Sequence, residues 1–437
     1  MSSTCYTDGF FSIDSQNGFI PVRDPLEKLP EKYSTLQEIV ERLHHLIVLE
    51  NIKFETLTQL VNSKLTDYTD SVKEETDVFV IQALFRAYAF LTSAWLLEPA
   101  YLHFRQKGEY GKARTLVPRH IAVPFKTVAD KLGVFPFLDY HYAYSLGNYV
   151  KIDKSKGLNW KNLKMAVSFT GTDDESGFIM LHVYINELSK DLIRSIESTI
   201  KSAENNDDSG LTSSLELNYL TMKAMNERKR EMWVASNYKK YNDFRIFIMG
   251  IQGNEQIFGD GVIYEGVSEE KQVFRGQTGA MDNIIPFEDT FTGIDNFYEE
   301  NELTDYLMDL RRYRPPCVQN YIRDLKEKMT QIDLFNLVGK HDNNLSIIYL
   351  LGIVCEIYNF RFGHWNFVKK YIMENTKYAV ATGGTPISTW LPNQMKAVEK
   401  YYNMLKLKLG DNLNQIETEL LNKIDDSMKT MVENNYS

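Results

Sequence analysis

The residues best suited to chemistry lie in one helical segment, YNFRFGHWNFVKKYI, at residues 358–372. Arg361 precedes His364 by three positions, so both side chains project from the same side of a helix. Gly363 stands directly before the histidine, although a glycine inside a helix costs about 1 kcal/mol relative to alanine. The segment therefore brings together a cation, an imidazole and a point where another group can approach the helix closely.

Two interpretations of this segment follow from the residues alone. In the first, His364 binds an iron through its imidazole, a haem lies against the face that Gly363 leaves open, and Arg361 pairs with a haem propionate. In the second, His364 is a core histidine that is hydrogen-bonded to a backbone carbonyl, and Arg361 lies at the surface. Periodic helices often carry such residues, so the spacing by itself leaves both interpretations open.

Composition excludes several classes of protein. The chain has 437 residues and a formal net charge of -10, so a basic surface for nucleic acid is not expected. The one dense basic run, NERKREMW at residues 226–233, is interleaved with glutamate and is interpreted as a solvated helix face. Cys5, Cys317 and Cys355 are sparse and show no CxxC spacing, which argues against a disulfide framework and against a zinc site.

We expect neither a signal peptide nor a membrane-spanning helix. The first residues, MSSTCYTDGFFSIDSQNGF, lack the basic region and apolar core of a signal peptide. The longest nearly unbroken apolar run, residues 345–355, is shorter than a bilayer requires and is followed by Glu356. We therefore expect a soluble, cytoplasmic protein.

Helical periodicity dominates the chain and predicts a mainly α fold. Apolar residues at spacings of three and four predict helices at residues 34–52, 77–104, 191–204 and 211–241. One stretch with strand character, QIFGDGVIYEGV at residues 256–267, predicts a hairpin.

Two polar segments suggest how the chain is divided. Residues 151–164 are interpreted as a connector between a small N-terminal helical domain, residues 1–150, and a larger C-terminal domain, residues 165–437. Residues 204–214 are predicted to form a solvated loop within the larger domain.

Ten segments, in order, carry a resemblance to a known family. They are GFIPVRDPLEKLPEKY, VPRHIAVPFKTVADKLGVFPFLDY, FTGTDDESGFIMLHVYIN, FRIFIMG, DGVIYEGV, FRGQTGAMDN, FEDTFTGI, LRRYRPPCVQNYI, RFGHWNFVKKYI and ATGGTPISTWL. Together they cover nearly the whole chain, and they resemble the indoleamine 2,3-dioxygenase family of haem enzymes. The resemblance implies a small helical domain on a larger helical domain that holds haem b. It also implies that O₂ opens the indole pyrrole ring of L-tryptophan to give N-formylkynurenine, the first step of the kynurenine pathway.

The resemblance assigns roles to matching residues. The implied positions are His364 as the iron ligand; Arg361, Asp289 and Thr278 at the cofactor; Phe178 and His182 as catalytic residues on the distal side; and Arg245, Tyr140, Tyr241, Thr382 and Gly383 at the substrate. His182 stands where many members carry serine, and a neutral imidazole there can accept a hydrogen bond from the indole N–H. A helix-capping role for Asp289 and a buried ion pair for Arg245 remain open as alternatives.

This sequence departs from the family pattern at the pocket. Lys240 occupies a position where the family carries an aromatic residue that touches the substrate. Either the neighbouring Tyr241 fills the gap or the pocket gains a cation. An extra residue in the segment that forms the pocket ceiling leaves Tyr140, His141 and Tyr144 as alternative ceiling residues.

Three functions remain in view at this stage. The first is a dioxygenase that acts on L-tryptophan and O₂. The second is a haem enzyme of the same scaffold that acts on another indole, and the third is a non-enzymatic haem protein that binds O₂. In each case the expected partners are small molecules, and we expect a monomer that binds neither nucleic acid nor a membrane.

Overall fold

The fold is mainly helical, as the periodicity predicted. A computed structural model describes residues 6–48, 56–339, 344–376, 378, 380–384 and 387–436. In the first third of the chain the α-helices are α1 (Ser34–Glu41), α2 (Leu43–Val48), α3 (Leu57–Ser63), α4 (Thr69–Glu74), α5 (Val78–Lys107) and α6 (Arg119–Leu132). The middle third contains α7 (Asp173–Asn186), α8 (Ser189–Asn205), α9 (Asp208–Arg230), α10 (Met232–Ala235), α11 (Tyr241–Arg245), α12 (Glu255–Phe258) and α13 (Ile284–Thr292). The last part contains α14 (Glu302–Arg311), α15 (Pro316–Ile332), α16 (Leu334–Leu337), α17 (Asn344–Phe367), α18 (Ile387–Lys406) and α19 (Gln415–Tyr436).

Helix α5 is the central helix of the N-terminal part. The Asp77 side chain accepts a hydrogen bond from the Phe79 amide at 2.8 Å and so caps the first turn. The helix ends at Gly108, whose φ of 77° belongs to the left-handed region that glycine adopts without strain. Side chains from Phe79 to Tyr101 are buried almost without exception, which explains why this part of the helix is apolar on every side.

Helix α17 has the corresponding position in the C-terminal part. It packs against α9, α18 and α19. Gly352 allows α9 to approach closely, because a Cβ atom at this position would lie 2.7 Å from the ring of Tyr219. After Phe367 the helix widens into one π-helical segment, Val368–Met373, so the predicted helix over residues 358–372 is confirmed with a change of pitch at its end.

Two helices are long and apolar enough to cross a membrane, Val78–Lys107 and Asn344–Met373. Within the protein, 100% and 72% of their most apolar windows are buried. Packing against other helices of the same chain therefore accounts for their composition.

The few strands are short, and they correct one prediction. The strand pairs are β1 (Leu116–Val117) with β4 (Ile263–Tyr264), in parallel, and β2 (Tyr149–Lys151) with β3 (Leu163–Met165), antiparallel. The hairpin predicted at residues 256–267 is wrong, because its first half is helix α12 and its second half pairs with a strand far earlier in the chain.

Three further boundaries differ from those predicted. Residues 151–164 lie largely within the turn between β2 and β3, so they form a closed hairpin rather than an open linker. The loop predicted at 204–214 is shorter, since α8 ends at Asn205 and α9 begins at Asp208. The helix predicted at 211–241 breaks after Arg230 into separate short helices.

One connected apolar core extends from Phe10 to Met431. Helix α5 packs against α6 and also against the turn Ile246–Ile248, where Ser93 donates a hydrogen bond to the Phe247 carbonyl. The division into domains at residue 150 stays a prediction.

Helix α13 buries a carboxyl group whose charge opposes folding. The Glu288 side chain is fully buried, and one of its oxygens accepts a hydrogen bond from the Asn218 amide at 3.0 Å. The other oxygen has no hydrogen-bond partner among the described residues. Burial raises the pKa of Glu288 to about 8, because water no longer solvates the charged form.

We expect the protein to become less stable as the pH rises, because of the buried carboxyl group of Glu288. The pKa in the folded state lies above the unfolded value, so the contribution of Glu288 is fully present below about 4.5 and is lost as pH rises through about 8. Glu288→Gln should remove this dependence and increase the free energy of unfolding relative to wild type by about 3 kcal/mol more at pH 8.5 than at pH 5.5. Chemical denaturation at both values measures it.

Glu299→Gln, at an exposed position, is the matched control and should change stability equally at both values. If Glu288→Gln changed stability equally at pH 5.5 and pH 8.5, the result would contradict a raised pKa for Glu288.

Candidate active site

Two neighbouring cavities meet at His364. The larger has a volume of about 340 Å³ and lies between α13, α14 and α17. The smaller has a volume of about 130 Å³ and lies between α7, the end of α9 and the π-helical segment that follows α17. Gly279, Asp282, Phe360 and His364 line both cavities. The arrangement places one imidazole where it faces two compartments.

The His364 imidazole is neutral and has no hydrogen-bond partner. Burial lowers its pKa to about 3, since the interior disfavours the charged form. No described residue donates to the ring or accepts from it, whereas a core histidine is normally hydrogen-bonded. The interpretation as a core histidine bound to a backbone carbonyl is therefore wrong. The lone pair of a neutral imidazole is free to bind a metal.

Arg361 is buried one helical turn before His364, not at the surface. Its Nη2 donates to the Asp289 carboxylate at 2.6 Å and to the Tyr298 hydroxyl, which itself donates to the same carboxylate oxygen at 2.5 Å. The Nε and Nη1 atoms of Arg361 and the Oδ1 atom of Asp289 have no partner among the described residues. Arg361 and Asp289 line the larger cavity, so two guanidinium nitrogens without a partner among the described residues belong to a side chain that borders it.

The smaller cavity has an aromatic wall and a second imidazole. Phe178 and His182 lie one turn apart on α7, and their ring centroids are 5.4 Å apart. The Nδ1 atom of His182 lies 2.9 Å from the Phe178 carbonyl oxygen, which can only accept, so Nδ1 carries the proton and Nε2 is an acceptor. Burial also lowers the pKa of His182, which favours this neutral form.

Tyr241, not Lys240, completes the aromatic wall. The Tyr241 ring centroid lies 5.0 Å from that of Phe178 and 5.8 Å from that of Tyr371. The Lys240 side chain is 60% exposed and lies 3.9 Å from Asp243, outside the residues that line either cavity. Of the two possibilities at this departure from the family pattern, the structure supports an aromatic neighbour and not an added cation from Lys240.

Two predicted loop residues line the smaller cavity, Thr278 and Thr382. Gly383 lies next to this lining, and its carbonyl accepts a hydrogen bond from Arg275 at 3.3 Å. Gly384 adopts a φ of 92°, and a Cβ atom there would lie 2.2 Å from the Gln252 carbonyl oxygen, so only glycine fits.

Arg245 is buried but lies outside the residues that line the two cavities. Its Nη2 donates to the Val380 carbonyl at 2.6 Å and its Nη1 to the Tyr110 hydroxyl at 3.4 Å, while Nε has no partner among the described residues. No ion pair to Arg245 occurs in the described part of the chain, so the alternative of a structural ion pair is wrong. Its contact with a substrate stays a prediction.

The residues considered for the pocket ceiling do not line the cavities directly. Tyr140, His141 and Tyr144 are fully buried behind them. The Tyr140 hydroxyl donates to the Asp282 carboxylate at 2.5 Å, so it reaches the cavities through Asp282. His141 lies 3.0 Å from the Asn283 side chain.

Asp282 is a site residue that the sequence did not single out. Its Oδ2 accepts hydrogen bonds from Tyr140 and from Asn186, the latter at 2.8 Å, and its Oδ1 accepts one from the Ile284 amide at 2.8 Å. Asp282 acts on the distal imidazole, since its negative charge raises the pKa of His182 against the larger effect of burial. Its partners lie far away in the sequence, so no local pattern could have found it.

Lys229 is a second residue that the sequence analysis misjudged. The basic run at 226–233 was interpreted as a solvated face, but Lys229 is only 7% exposed and lines the smaller cavity. Burial lowers its pKa well below the usual value. A usable signal was present, because Met222, Met225 and Lys229 share one face of α9 at the spacing of a buried stripe.

Lys229 also explains the glycine before His364. A Cβ atom on Gly363 would lie 2.9 Å from the Lys229 Nζ and 3.0 Å from its Cε. The end of the Lys229 side chain therefore lies beside Gly363, and a haem against this face stays a prediction.

The described residues contain no group of three or more His, Cys, Asp or Glu side chains that could hold a metal ion by themselves. A metal at His364 therefore needs most of its ligands from another source.

Comparisons with known proteins agree with this arrangement. The family model described as Indoleamine 2,3-dioxygenase matches residues 8–410. The chain is 25% identical to Indoleamine 2,3-dioxygenase 1 of Rattus norvegicus over 378 residues, which is 84% of this chain and 85% of that protein. It is 25% identical to Indoleamine 2,3-dioxygenase 2 of Homo sapiens over 378 residues, 86% of each chain. It is also 25% identical over 380 residues to a protein named 6-hydroxytryptophan 2,3-dioxygenase in Fusarium equiseti, covering 83% of this chain and 84% of that protein.

The buried ion pair beside His364 should be important for stability. Asp289→Ala leaves the Arg361 cation buried without its carboxylate, and we expect the free energy of unfolding to fall by about 3 kcal/mol. Tyr298→Phe removes one hydroxyl from the same cluster and should cost about 1 kcal/mol. Urea denaturation at neutral pH measures both effects.

Asp70→Ala, which breaks an exposed pair with Lys73, is the control and should change stability by less than about 1 kcal/mol. If Asp289→Ala were no more harmful than Asp70→Ala, the pair would have no structural importance.

Proposed function

The chain belongs to the indoleamine 2,3-dioxygenase family, and we propose that it uses haem b to open the indole pyrrole ring of L-tryptophan with O₂, giving N-formylkynurenine. The observation that carries the proposal is the neutral imidazole of His364, which has no partner and faces two cavities. Membership of this family shows that the chain is a dioxygenase, whereas its substrate and its cofactor are our proposals.

The residues around His364 fit a haem. His364 would hold the haem iron through its free ring nitrogen, and the larger cavity of about 340 Å³ begins beside it. The Nε and Nη1 atoms of Arg361 have no partner among the described residues, and once turned towards the cavity they would suit a propionate carboxylate. Asp289 holds the same arginine at 2.6 Å and so fixes its direction. When bound, the haem iron would supply O₂ binding and the redox chemistry that amino-acid side chains lack.

The smaller cavity suits an indole. Phe178, Tyr241 and Tyr371 offer aromatic surfaces to a planar ring and exclude water from it. The Nε2 atom of His182 is an acceptor, so it can hold the indole N–H at a fixed position. These residues bind and orient the ring that is to be opened, which is the contribution expected from the protein in a cofactor enzyme.

Arg245 would bind the substrate carboxylate after a local rearrangement. Its Nη2 is now bonded to the carbonyl of Val380, directly before Ala381 and Thr382, which line the smaller cavity. A carboxylate in this cavity would compete with that carbonyl for the guanidinium group, because bonds between charged groups are stronger. The segment from Val380 to Gly384 would then shift as the substrate enters.

A second candidate substrate is a ring-hydroxylated tryptophan. The Fusarium equiseti relative is named for 6-hydroxytryptophan. The Asp282 carboxylate lines both cavities of this chain, and a carboxylate is a good acceptor for a hydroxyl group on the indole.

An absorption spectrum tests the proposal directly. Purified ferrous protein supplemented with haem should show a Soret band in air, a shift of that band on adding L-tryptophan, and accumulation of N-formylkynurenine. His364→Ala should lose the Soret band, while the control His103→Ala, at an exposed position, should keep it. A wild-type protein that binds haem but forms no product from L-tryptophan or 6-hydroxytryptophan would contradict the enzymatic proposal.

Substrate analogues test the role of Arg245. Arg245→Ala should keep haem but raise the KM for L-tryptophan about 10- to 100-fold, the effect of losing one charge-assisted pair. Tryptamine, which lacks the carboxylate, should be affected much less. The control is Arg323→Ala, whose side chain is 62% exposed. An unchanged KM for L-tryptophan in Arg245→Ala would remove this role.

A further inference from the structure

Lys229 is a buried lysine whose charged form has no counter-ion among the described residues. Its Nζ lies 3.9 Å from the centroid of the Phe360 ring and donates a hydrogen bond to the Phe360 carbonyl. No carboxylate of the described residues forms an ion pair with it. Burying an ammonium group without an anion costs several kcal/mol, so an unpaired buried lysine needs an explanation.

The nearest carboxylates are already engaged elsewhere. Glu356 acts on Lys229 electrostatically, but its carboxylate accepts hydrogen bonds from Asn226 at 2.8 Å and from Asn359 at 2.9 Å. Asp282, the only acidic residue that lines the smaller cavity among the described residues, holds three donors of its own. Neither of them neutralises the lysine.

The chain makes room for this ammonium group beside the cavity. Any side chain at Gly363 would place its Cβ 2.9 Å from Nζ, so the glycine in mid-helix keeps the space in which Lys229 ends. A glycine within a helix and a buried cation are both unfavourable, and both occur at the same point next to His364. Lys229 is also the only Lys or Arg among the described residues that line the smaller cavity.

We propose that Lys229 binds a carboxylate that reaches the smaller cavity. The identity of that molecule rests on the proposed function, which offers two sources of the same chemistry. One is the carboxylate of the amino-acid substrate, and the other is a propionate of the haem. In both cases the carboxylate would form an ion pair with Lys229, which has no such partner among the described residues.

Lys229→Met, which keeps the length of the side chain and removes its charge, separates the two sources. If the ligand is the substrate, the variant binds L-tryptophan about 10- to 100-fold more weakly and tryptamine as wild type does. If the ligand is a propionate, the variant binds haem more weakly by a similar factor and haem dimethyl ester as wild type does. Equilibrium titrations followed by absorption and calorimetry measure all four ligands.

Controls keep the result interpretable. Lys223→Met, two turns earlier on α9 and outside the smaller cavity, should bind all four ligands as wild type does. Lys229→Arg should retain most of the affinity, because the guanidinium group also pairs with carboxylates. Lys229→Met should unfold at a temperature no lower than wild type, since it removes an unpaired buried charge; if it does not fold, Lys229→Gln replaces it in the same titrations.

Wild-type affinity of Lys229→Met for both L-tryptophan and haem would overturn the proposal. This outcome is distinct from a failure of the proposed function, which is decided by ring opening in the wild-type protein alone. The titrations require no turnover. If the wild-type chain binds no haem, calorimetry with L-tryptophan and tryptamine on the purified chain makes the same comparison, and equal binding of L-tryptophan by both proteins again overturns it.

Discussion

The buried ion pair between Arg361 and Asp289 fixes the geometry on which the candidate site depends. It joins α17 to α13 through a contact of 2.6 Å between side chains that are almost fully buried. Because His364 lies one turn beyond Arg361, anchoring the arginine also sets the rotation of α17 about its axis. The imidazole is thereby directed at the junction of the two cavities. The pair is asymmetric, since Nη2 of the arginine is held by Asp289 while its Nε and Nη1 have no partner among the described residues.

The same helix faces two different environments at consecutive positions. His364 opens on the cavities, while Gly363 lies against the end of Lys229 from α9. Helix α9 also packs closely on α17 at Gly352, earlier in α17, where the ring of Tyr219 occupies the space that a side chain at residue 352 would need. Two glycines on α17 thus bring α9 near enough for a lysine to reach the cavity. The motif that first suggested a haem at the glycine is explained by contact between helices, and the evidence for the haem rests on His364 and Arg361.

The sequence predicted elements well where the signal was local. Apolar periodicity identified α5, α8 and the helix that carries His364, because burial of these helices imposes that spacing. It failed where the partner is distant: the strand at Ile263–Tyr264 pairs with Leu116–Val117, which no local alternation reveals. The same holds for the site. The resemblance named the residues on α7 and α17, but Asp282 depends on Tyr140 and Asn186, and the direction of Arg245 depends on Val380. Lys229 was missed because charge density along the chain is a poor guide to which side of a helix is buried.

The charges around the smaller cavity bear on which ligands it can hold. The family match covers residues 8–410, and identity to the relatives named above is 25%. The lining contains one carboxylate that already accepts three hydrogen bonds, Asp282, and one lysine, Lys229, that has no ion-pair partner among the described residues. The charged form of Lys229 is therefore paired only when the ligand brings a negative charge. An indole without a carboxylate would not reduce the free-energy cost of burying the charged form of Lys229. An indole that carries a carboxylate, or a haem whose propionate reaches Lys229, would reduce it. The unpaired lysine thus favours acidic ligands for a reason that lies in the protein itself, independent of what any relative binds.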